Sequence, residues 1–412
     1  MQQLLNYLLM LIPIIGLIAG LSLGITIPLF LAVSLYLIKD QIKIHWTKIR
    51  LEIVFFILLC ISSLWSNKPL ASLVSFFLVL SISMVIYILI TNVDLLINKL
   101  QIEDTHLIIG LLGAILLFYI EFIGNGLITT LFKTTFQTKD NYDFYLYYLD
   151  RGCTLVALFA WVVIASLIGN EKNIQAVLVY LLVLLTLGIS DNLAAFISFF
   201  IGGVVFLVTR YHFFAKPKLL SFLLILSTLT FVGIITLITP YKIIEEARFL
   251  PISAKHRLFI WDYSIQKITQ KPFIGWGHGA SRNFADENFI EYEGHRLSVF
   301  PTHPHNNIVQ ILLENGIVGL FIYLALLCKY LFCWNKAFLQ YQSNKRLKNI
   351  RSAGFACFWT CLIISMISFN MWQNWFLCSY LWVALMLYFV TKQVLLPLII
   401  HNDSLEKDLR DY

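Results

Sequence analysis

The sequence predicts an all-α, polytopic integral membrane protein with about 12 membrane helices. Three observations carry that expectation. The 412 residues are 59% hydrophobic and 13% charged, with a mean hydropathy of +0.79, far from the composition of soluble domains. Apolar runs long enough to cross ~30 Å of hydrocarbon as a helix, roughly 20 residues, recur along the whole chain. Those runs, 219–239 among them, lack the strict alternation that a membrane β-barrel requires.

Hydropathy places spans at 4–20, 22–38, 51–65, 69–91, 106–124, 152–169, 173–190, 192–209, 219–239, 306–333, 353–370 and 375–398. The tightest reversals fall near Gly20 and Ser190. The chain divides into membrane helices over 1–239, a large loop over 240–305 between the ninth and tenth spans, membrane helices over 306–398, and a polar tail over 399–412. The first apolar run lacks a basic leader and a small-residue cleavage site, so it is expected to be a retained helix.

Basic residues in short loops set the orientation. An N-terminus in the cytoplasm puts Lys39, Lys43, Lys48 and Arg50, then Arg210, Lys216 and Lys218, then Lys336, Lys345, Arg346, Lys348 and Arg351, on the cytoplasmic side. The opposing short loops hold Lys68 alone. Both termini are then cytoplasmic, and the longer loops 125–151 and 240–305 face outward. The formal charge of +7 is spread over these short loops instead of forming a groove, which argues against nucleic acid as a partner. Membrane lipids surround the chain instead. The seven cysteines form no CxxC pair and no His/Cys cluster, so neither a disulfide framework nor a metal site is indicated, and no cofactor is expected. Cys357 and Cys361 share a helix face and read as packing residues.

Polar chemistry is concentrated between Arg257 and Gly319. The loop 240–305 carries eight Lys/Arg (Lys242, Arg248, Lys255, Arg257, Lys267, Lys271, Arg282, Arg296) and seven Asp/Glu (Glu245, Glu246, Asp262, Asp286, Glu287, Glu291, Glu293). With so little net field, an anion there must be held by individually placed cations. Five of the nine histidines, His256, His278, His295, His303 and His305, lie in the same loop.

Ser253 suits the cap of a helix that stops before Pro272. Arg257, Trp261, Ile265 and Ile268 recur on one face of it, an amphipathic pattern expected to lie at the interface with its stripe toward lipid. Arg257 then sits at headgroup depth, either as an interfacial anchor or as a bidentate phosphate ligand. PFIGWGHG is a glycine turn without the βαβ context of a dinucleotide site, and Trp276 and His278 within it are possible substrate contacts. Pro304 suits a helix start, which puts His305 and Asn306 in the opening turn of the span at 306–333. There the helix dipole favours a neutral imidazole, able to accept a proton from a hydroxyl nucleophile. Asn306, Gln310 and Glu314 continue into the membrane along one face, a polar stripe that implies a water-lined cavity. Gly316 and Gly319 are expected to let a neighbouring helix approach. Arg151, after the tyrosine-rich YDFYLYYLD, stands at an outer helix end as a belt anchor or a second anion ligand. Asp191 and Asn192, at another outer end, are expected to cap a helix.

The stretch RLFIW, KPFIGWGHG and His305-Asn306 followed by nine residues and GIVG resembles the O-antigen ligase family, whose domain is shared with O-antigen polymerases and protein O-oligosaccharyltransferases. DRGCTLVALFAW and LGISDNLAAF extend the likeness upstream. The resemblance implies a metal-independent glycosyltransferase of the bacterial inner membrane. It would move a glycan from an undecaprenyl-diphosphate-linked donor to lipid A core at the periplasmic face. On that pattern His305 is the catalytic histidine, Arg257 the loop arginine and Arg151 the arginine at an outer helix end, with His303, Asn306, Trp261 and His278 as substrate contacts. Asp191-Asn192 stands where many members have a serine-arginine pair, and His303 leaves open which imidazole acts. A polymerase joining two lipid-linked glycans, a protein glycosyltransferase, and a transporter of lipid-linked sugars are the competing expectations. The last lacks the inverted repeats and broken midplane helices common in transporters.

Overall fold

A computed structural model describes residues 2–100, 102–137, 143–211, 213–237, 246, 250–284, 289–341 and 343–408. The chain is a multi-pass helical membrane protein. Among the described residues, eight helical stretches are long and apolar enough to cross a bilayer: Gly20–Gln41, Pro69–Thr91, Asp104–Ile123, Leu146–Gly169, Pro217–Leu237, Asn307–Lys336, Lys345–Ile367 and Asn374–Pro397. The other four expected spans fall on shorter apolar helices, Gln2–Ile18, Arg50–Ser63, Asn173–Ile189 and Leu193–Thr209. At ~1.5 Å per residue, 17 residues reach only about 26 Å.

In chain order the helices are α1 (Gln2–Ile18), α2 (Leu23–Ile38), α3 (Arg50–Ser63), α4 (Pro69–Thr91), α5 (Val93–Lys99), α6 (Asp104–Ile123), α7 (Leu127–Gln137), α8 (Asp150–Gly169), α9 (Asn173–Ile189), α10 (Leu193–Thr209) and α11 (Pro217–Leu237). They continue as α12 (Ile252–Gln270), α13 (Asn307–Lys336), α14 (Lys345–Ile367) and α15 (Asn374–Asp408). The last helix continues to Asp408, into the stretch expected as a polar tail. A two-stranded hairpin, β1 (Phe289–Tyr292) and β2 (His295–Ser298), is the only sheet among the described residues. Its turn residues Glu293 and Gly294 have φ of 49° and 75°, the geometry of a tight two-residue hairpin turn.

The centre of the bundle is α8, whose side chains from Gly152 to Gly169 are all buried. Trp161 on it donates to Thr360 Oγ1 on α14 at 3.0 Å, so the indole N–H does not go unsatisfied in an apolar core. Outer helices turn large apolar side chains outward, as at Leu70, Leu237 and Phe321, the arrangement a lipid solvent favours. A second apolar core lies between α3, α4, α11, α12 and α13 and carries the polar loop on top. Two carboxylates buried in the bundle are satisfied by donors. Glu121 accepts from the Ile128 and Thr129 amides at the start of α7, and Asp104 takes Lys172, Asn170 and Ser166.

The amphipathic helix is α12, and it corrects two expectations. Pro251, not Ser253, precedes its first turn. Its stripe faces protein: Ile268 is buried and Trp261 and Ile265 pack against the second apolar core, with Trp261 edge-on to Phe231 of α11 at 5.3 Å. The hairpin clasps the other side of α12. Buried Lys255 pairs with Glu293 at 3.0 Å, and His256 Nε2 donates to the Ser298 carbonyl at 2.6 Å. Of the loop charges counted from sequence, Lys242, Glu245, Arg248, Asp286 and Glu287 lie outside the described residues.

Candidate active site

The site is built on a break in α13. Gly316 has φ 65° and ψ −164°, and the helix resumes beyond it. A break leaves carbonyls and amides without helical partners, and the turn Pro272–Gly277 supplies them. Trp276 N and Gly277 N donate to the Leu313 and Glu314 carbonyls at 2.9 and 2.8 Å, while Ile317 N and Val318 N donate to Pro272 O and Phe273 O at 2.8 and 3.2 Å. The approach is so close that a Cβ on Gly316 would lie 2.3 Å from the Phe273 backbone, and one on Gly275 2.4 Å from that of Glu314. The neighbour admitted by Gly316 is therefore this turn and not another helix, and the expected continuous span is two helical pieces.

The polar stripe on the first piece is buried among protein groups instead of lining a water-filled cavity. Asn306 caps the helix through Ile308 N and Val309 N at 2.9 and 3.0 Å. Gln310 Nε2 donates to Asn370 Oδ1 at 2.9 Å. Glu314 is fully buried, and its carboxylate accepts from Ser281 Oγ at 2.6 Å, Trp372 Nε1 at 2.7 Å, Gly279 N at 3.0 Å and Gln310 Nε2 at 3.1 Å. Desolvating a carboxylate is tolerable only when such donors surround it. Charge-assisted bonds of this kind fix the turn that follows PFIGWG. His278 belongs to this scaffold, with its ring fully buried and 4.8 Å from that of Trp372. Burial pushes its pKa down to about 4, against the pull of Glu314.

His303 and His305 lie against each other, ring centroids 4.1 Å apart. His305 has φ 52°, a left-handed conformation that costs a side chain-bearing residue of order 1 kcal/mol. Trp261 holds it there by donating Nε1 to Pro304 O at 2.9 Å. Helical geometry begins only at Asn307, so the opening turn expected to include His305 starts two residues later. The His305 Nδ1 lies 2.6 Å from the Ser368 carbonyl. A carbonyl only accepts, so Nδ1 carries the hydrogen and Nε2 keeps the lone pair. Burial first, then the Arg257 and His256 charges, hold the pKa of His305 down to about 4, opposed by the Ser368 bond. Desolvation, not the helix dipole, keeps this imidazole neutral. His303 meets Thr302 Oγ1 through Nδ1 at 2.9 Å, and burial with its histidine neighbour lowers it to about 3.

Arg257 lies one helical turn before Trp261. Its Nη1 donates to Ser253 O at 3.1 Å, its Nε is buried without a partner, and burial lowers its pKa. Arg151 stands across the site at the start of α8, 5.9 Å from the Trp375 ring. It lines a cavity of about 440 Å³ together with Arg282, Gln373, Asn374, Trp375 and apolar side chains of α2 and α4. The connector 368–373 joins the two halves, since Ser368 orients His305 and Gln373 lines the cavity. Asn192 caps α10 through Ala195 N at 3.0 Å, as expected. Among the described residues no group of three or more His, Cys, Asp or Glu is placed to hold a metal ion.

A family model described as O-antigen ligase matches residues 176–324. That interval contains α12, the glycine turn, the histidine pair and the broken half of α13. The similarity continues beyond it. A "Putative polysaccharide ligase" of Rickettsia typhi is 37% identical over 95% of this chain and 98% of its own length. Proteins of the same name are 37% identical in Rickettsia conorii, over 95% and 98%, and 35% identical in Rickettsia bellii, over 94% and 97%. The chain belongs to the O-antigen ligase family. Membership supports ligase-type glycosyl transfer, and the match to full-length relatives extends the likeness to the early spans, where hydropathy alone was comparable. Of the residues singled out from sequence, Arg257, Trp261, His303, His305 and Asn306 come together; Arg151 lines the cavity with Arg282 and Gln373, and His278 is enclosed. Sequence reasoning missed Arg282 and Gln373 in this O-antigen ligase relative. For Arg282 the only signal was its position just after the glycine turn.

Proposed function

We propose that the protein transfers a glycan from undecaprenyl diphosphate to lipid A core at the periplasmic face of the bacterial inner membrane, without a metal. The observation that carries this reading is the fixed tautomer of His305: Ser368 holds Nδ1–H, which leaves Nε2 as a proton acceptor beside the Arg257 guanidinium. In the reaction an acceptor hydroxyl oxygen attacks the anomeric carbon of the donor sugar as the bond from that carbon to the diphosphate oxygen breaks. The hydroxyl proton passes to His305 Nε2, and the bonding pair leaves with the diphosphate. Arg257 and Arg151 hold the diphosphate and offset its growing charge, the role preorganised cations fill where charge develops. A single displacement inverts the anomeric configuration. Diphosphate beside Arg257 also offsets the guanidinium's field on His305, raising the basicity of the imidazole when donor is bound. His303, pressed against His305, orients it, and Trp261 holds the loop that carries both.

The test is transfer by the purified full-length protein in nanodiscs, given defined lipid-linked donor and lipid A core. His305→Ala is expected to lower transfer at least a thousandfold, while donor binding changes less than threefold. Wild-type transfer by that variant would remove His305 from the mechanism. A deletion strain separates the acceptors: loss of all surface polymer fits ligation to lipid A core, a surviving single repeat fits polymerisation, and loss of glycoprotein with intact lipopolysaccharide fits protein glycosylation. Movement of the donor across liposomes without transfer would indicate a transporter.

A further inference from the structure

Arg282 is not among the residues the reaction above requires, yet its setting is that of a built ligand contact. It lies in a short helical turn, Ala280–Asn283, whose flanking residues Ala280 and Ser281 are fully buried. Ser281 Oγ and Gly279 N are both bound to the Glu314 carboxylate, at 2.6 and 3.0 Å. The backbone beneath Arg282 is thus fixed on both sides, while its side chain is exposed. That side chain lines the same cavity as Arg151. Among the described residues no carboxylate forms an ion pair with either arginine. Two guanidiniums facing one cavity without a counter-ion repel each other, a cost that an anion between them reverses. The field of Arg282 also reaches His303 and His278, which places it on the histidine side of the cavity.

Gln373 and Asn374 line the cavity beside the arginines, while the wall formed by Leu21, Ile25, Val74 and Leu78 is apolar and exposed. Leu21 and Ile25 of the α2 segment are 64% and 74% exposed, and Val74 of α4 is 56% exposed. A cationic head joined to an apolar, laterally open wall suits an amphiphile with an anionic headgroup.

Resting on the donor class proposed above, we propose that Arg282 binds the donor's diphosphate together with Arg151, at the head of a groove between α2 and α4 that takes the first isoprene units of the lipid. Arg257 then meets the same diphosphate from the side of the histidine pair, whose His305 feels its field, and where the acceptor hydroxyl is deprotonated. Glu314, fully buried, acts by positioning: it anchors the turn that presents Arg282.

The experiment measures equilibrium binding of farnesyl diphosphate, farnesyl monophosphate and farnesol to the full-length protein in nanodiscs by titration calorimetry. Wild type is expected to prefer the diphosphate. Arg282→Gln is expected to weaken diphosphate binding about ten- to a hundredfold, the range of a lost charge-assisted contact, and to change farnesol binding less than twofold. Arg282→Lys, which keeps a point charge but not the fork, falls between. Unchanged diphosphate affinity in Arg282→Gln, or equal weakening of all three probes, overturns the assignment of Arg282. If Arg151→Gln still loses the diphosphate in that case, the proposed activity stands. A wild-type protein that binds farnesol as tightly as farnesyl diphosphate overturns both.

Discussion

Replacing Glu314 by Gln changes one atom of the fully buried hub and tests how the site is held. Each carboxylate oxygen accepts two donors: Ser281 Oγ and Gln310 Nε2 on one, Gly279 N and Trp372 Nε1 on the other. An amide offers one accepting oxygen, and its NH₂ must face one of these pairs. The Gly279 and Trp372 N–H groups cannot reverse, so the NH₂ turns toward Ser281 and Gln310. Ser281 then has to accept, and Gln310 has to flip and give up its bond to Asn370. Two charge-assisted bonds become neutral ones and at least one is lost. At roughly 0.7 to 1.3 kcal/mol for each of these three changes the turn loses about 2 to 4 kcal/mol. Hydrogen exchange reads this locally. At about 1.4 kcal/mol per tenfold, amides of residues 276–279 are expected to exchange at least some 30-fold faster in Glu314→Gln, with amides of α8 unchanged. Protection equal to wild type at Gly277 and Gly279 would refute the hub.

Gly316→Ala puts a Cβ 2.3 Å from the Phe273 backbone at a φ of 65°; loss of folded protein in fluorescence-detected gel filtration is expected, whereas Gly233→Ala, with open space around it, elutes as wild type. His278 stays neutral down to a pKa of about 4 in the fold but binds a proton near 6.5 when unfolded. Because the unfolded chain binds more protons in that window, stability falls as pH is lowered from 6.5 to 4, by about 1.4 kcal/mol per unit and about 3 kcal/mol in all. His303 and His305 add to the slope in the same direction, and denaturant unfolding at pH 7 and 5 is expected to show a shallower slope for His278→Gln; an unaltered slope would count against the buried neutral ring. Arg257→Lys keeps the charge but not the planar fork, so transfer is expected to fall at least tenfold in initial-rate assays, and wild-type rates would reduce Arg257 to an interfacial anchor.

The helical frame was legible because lipid imposes length and apolarity on every span, and the run from Arg257 to Gly319 was legible because polar chemistry is rare elsewhere. What the chain order hid was partnership. Asn306, Gln310 and Glu314 sit on one helix face, which spacing shows, but their partners come from the Gly279–Ser281 turn and from Asn370–Trp372, stretches that no periodicity links to them. Gly316 looked like a helix-packing residue because the same small side chain serves either a neighbouring helix or a backbone inserted into a break. The stripe on α12 has the pattern of an interfacial helix; only the presence of α11 against it turns it toward protein. Arg282 is one of eight basic residues in its loop, and what distinguishes it is a wall shared with Arg151, a residue more than a hundred positions earlier.

The join between the glycine turn and the two halves of α13 bears on how the protein is made. Trp276 and Gly277 emerge from the ribosome some forty residues ahead of the carbonyls they bind, and the whole chain between them must be made before those bonds can close. Until the segment through Val318 has been inserted, the turn has nothing to dock on and Arg282 no fixed seat. Release of a chain truncated before that segment would therefore leave the loop that carries the histidine pair unlatched, so that the site is completed late in biogenesis, with the third-last helix.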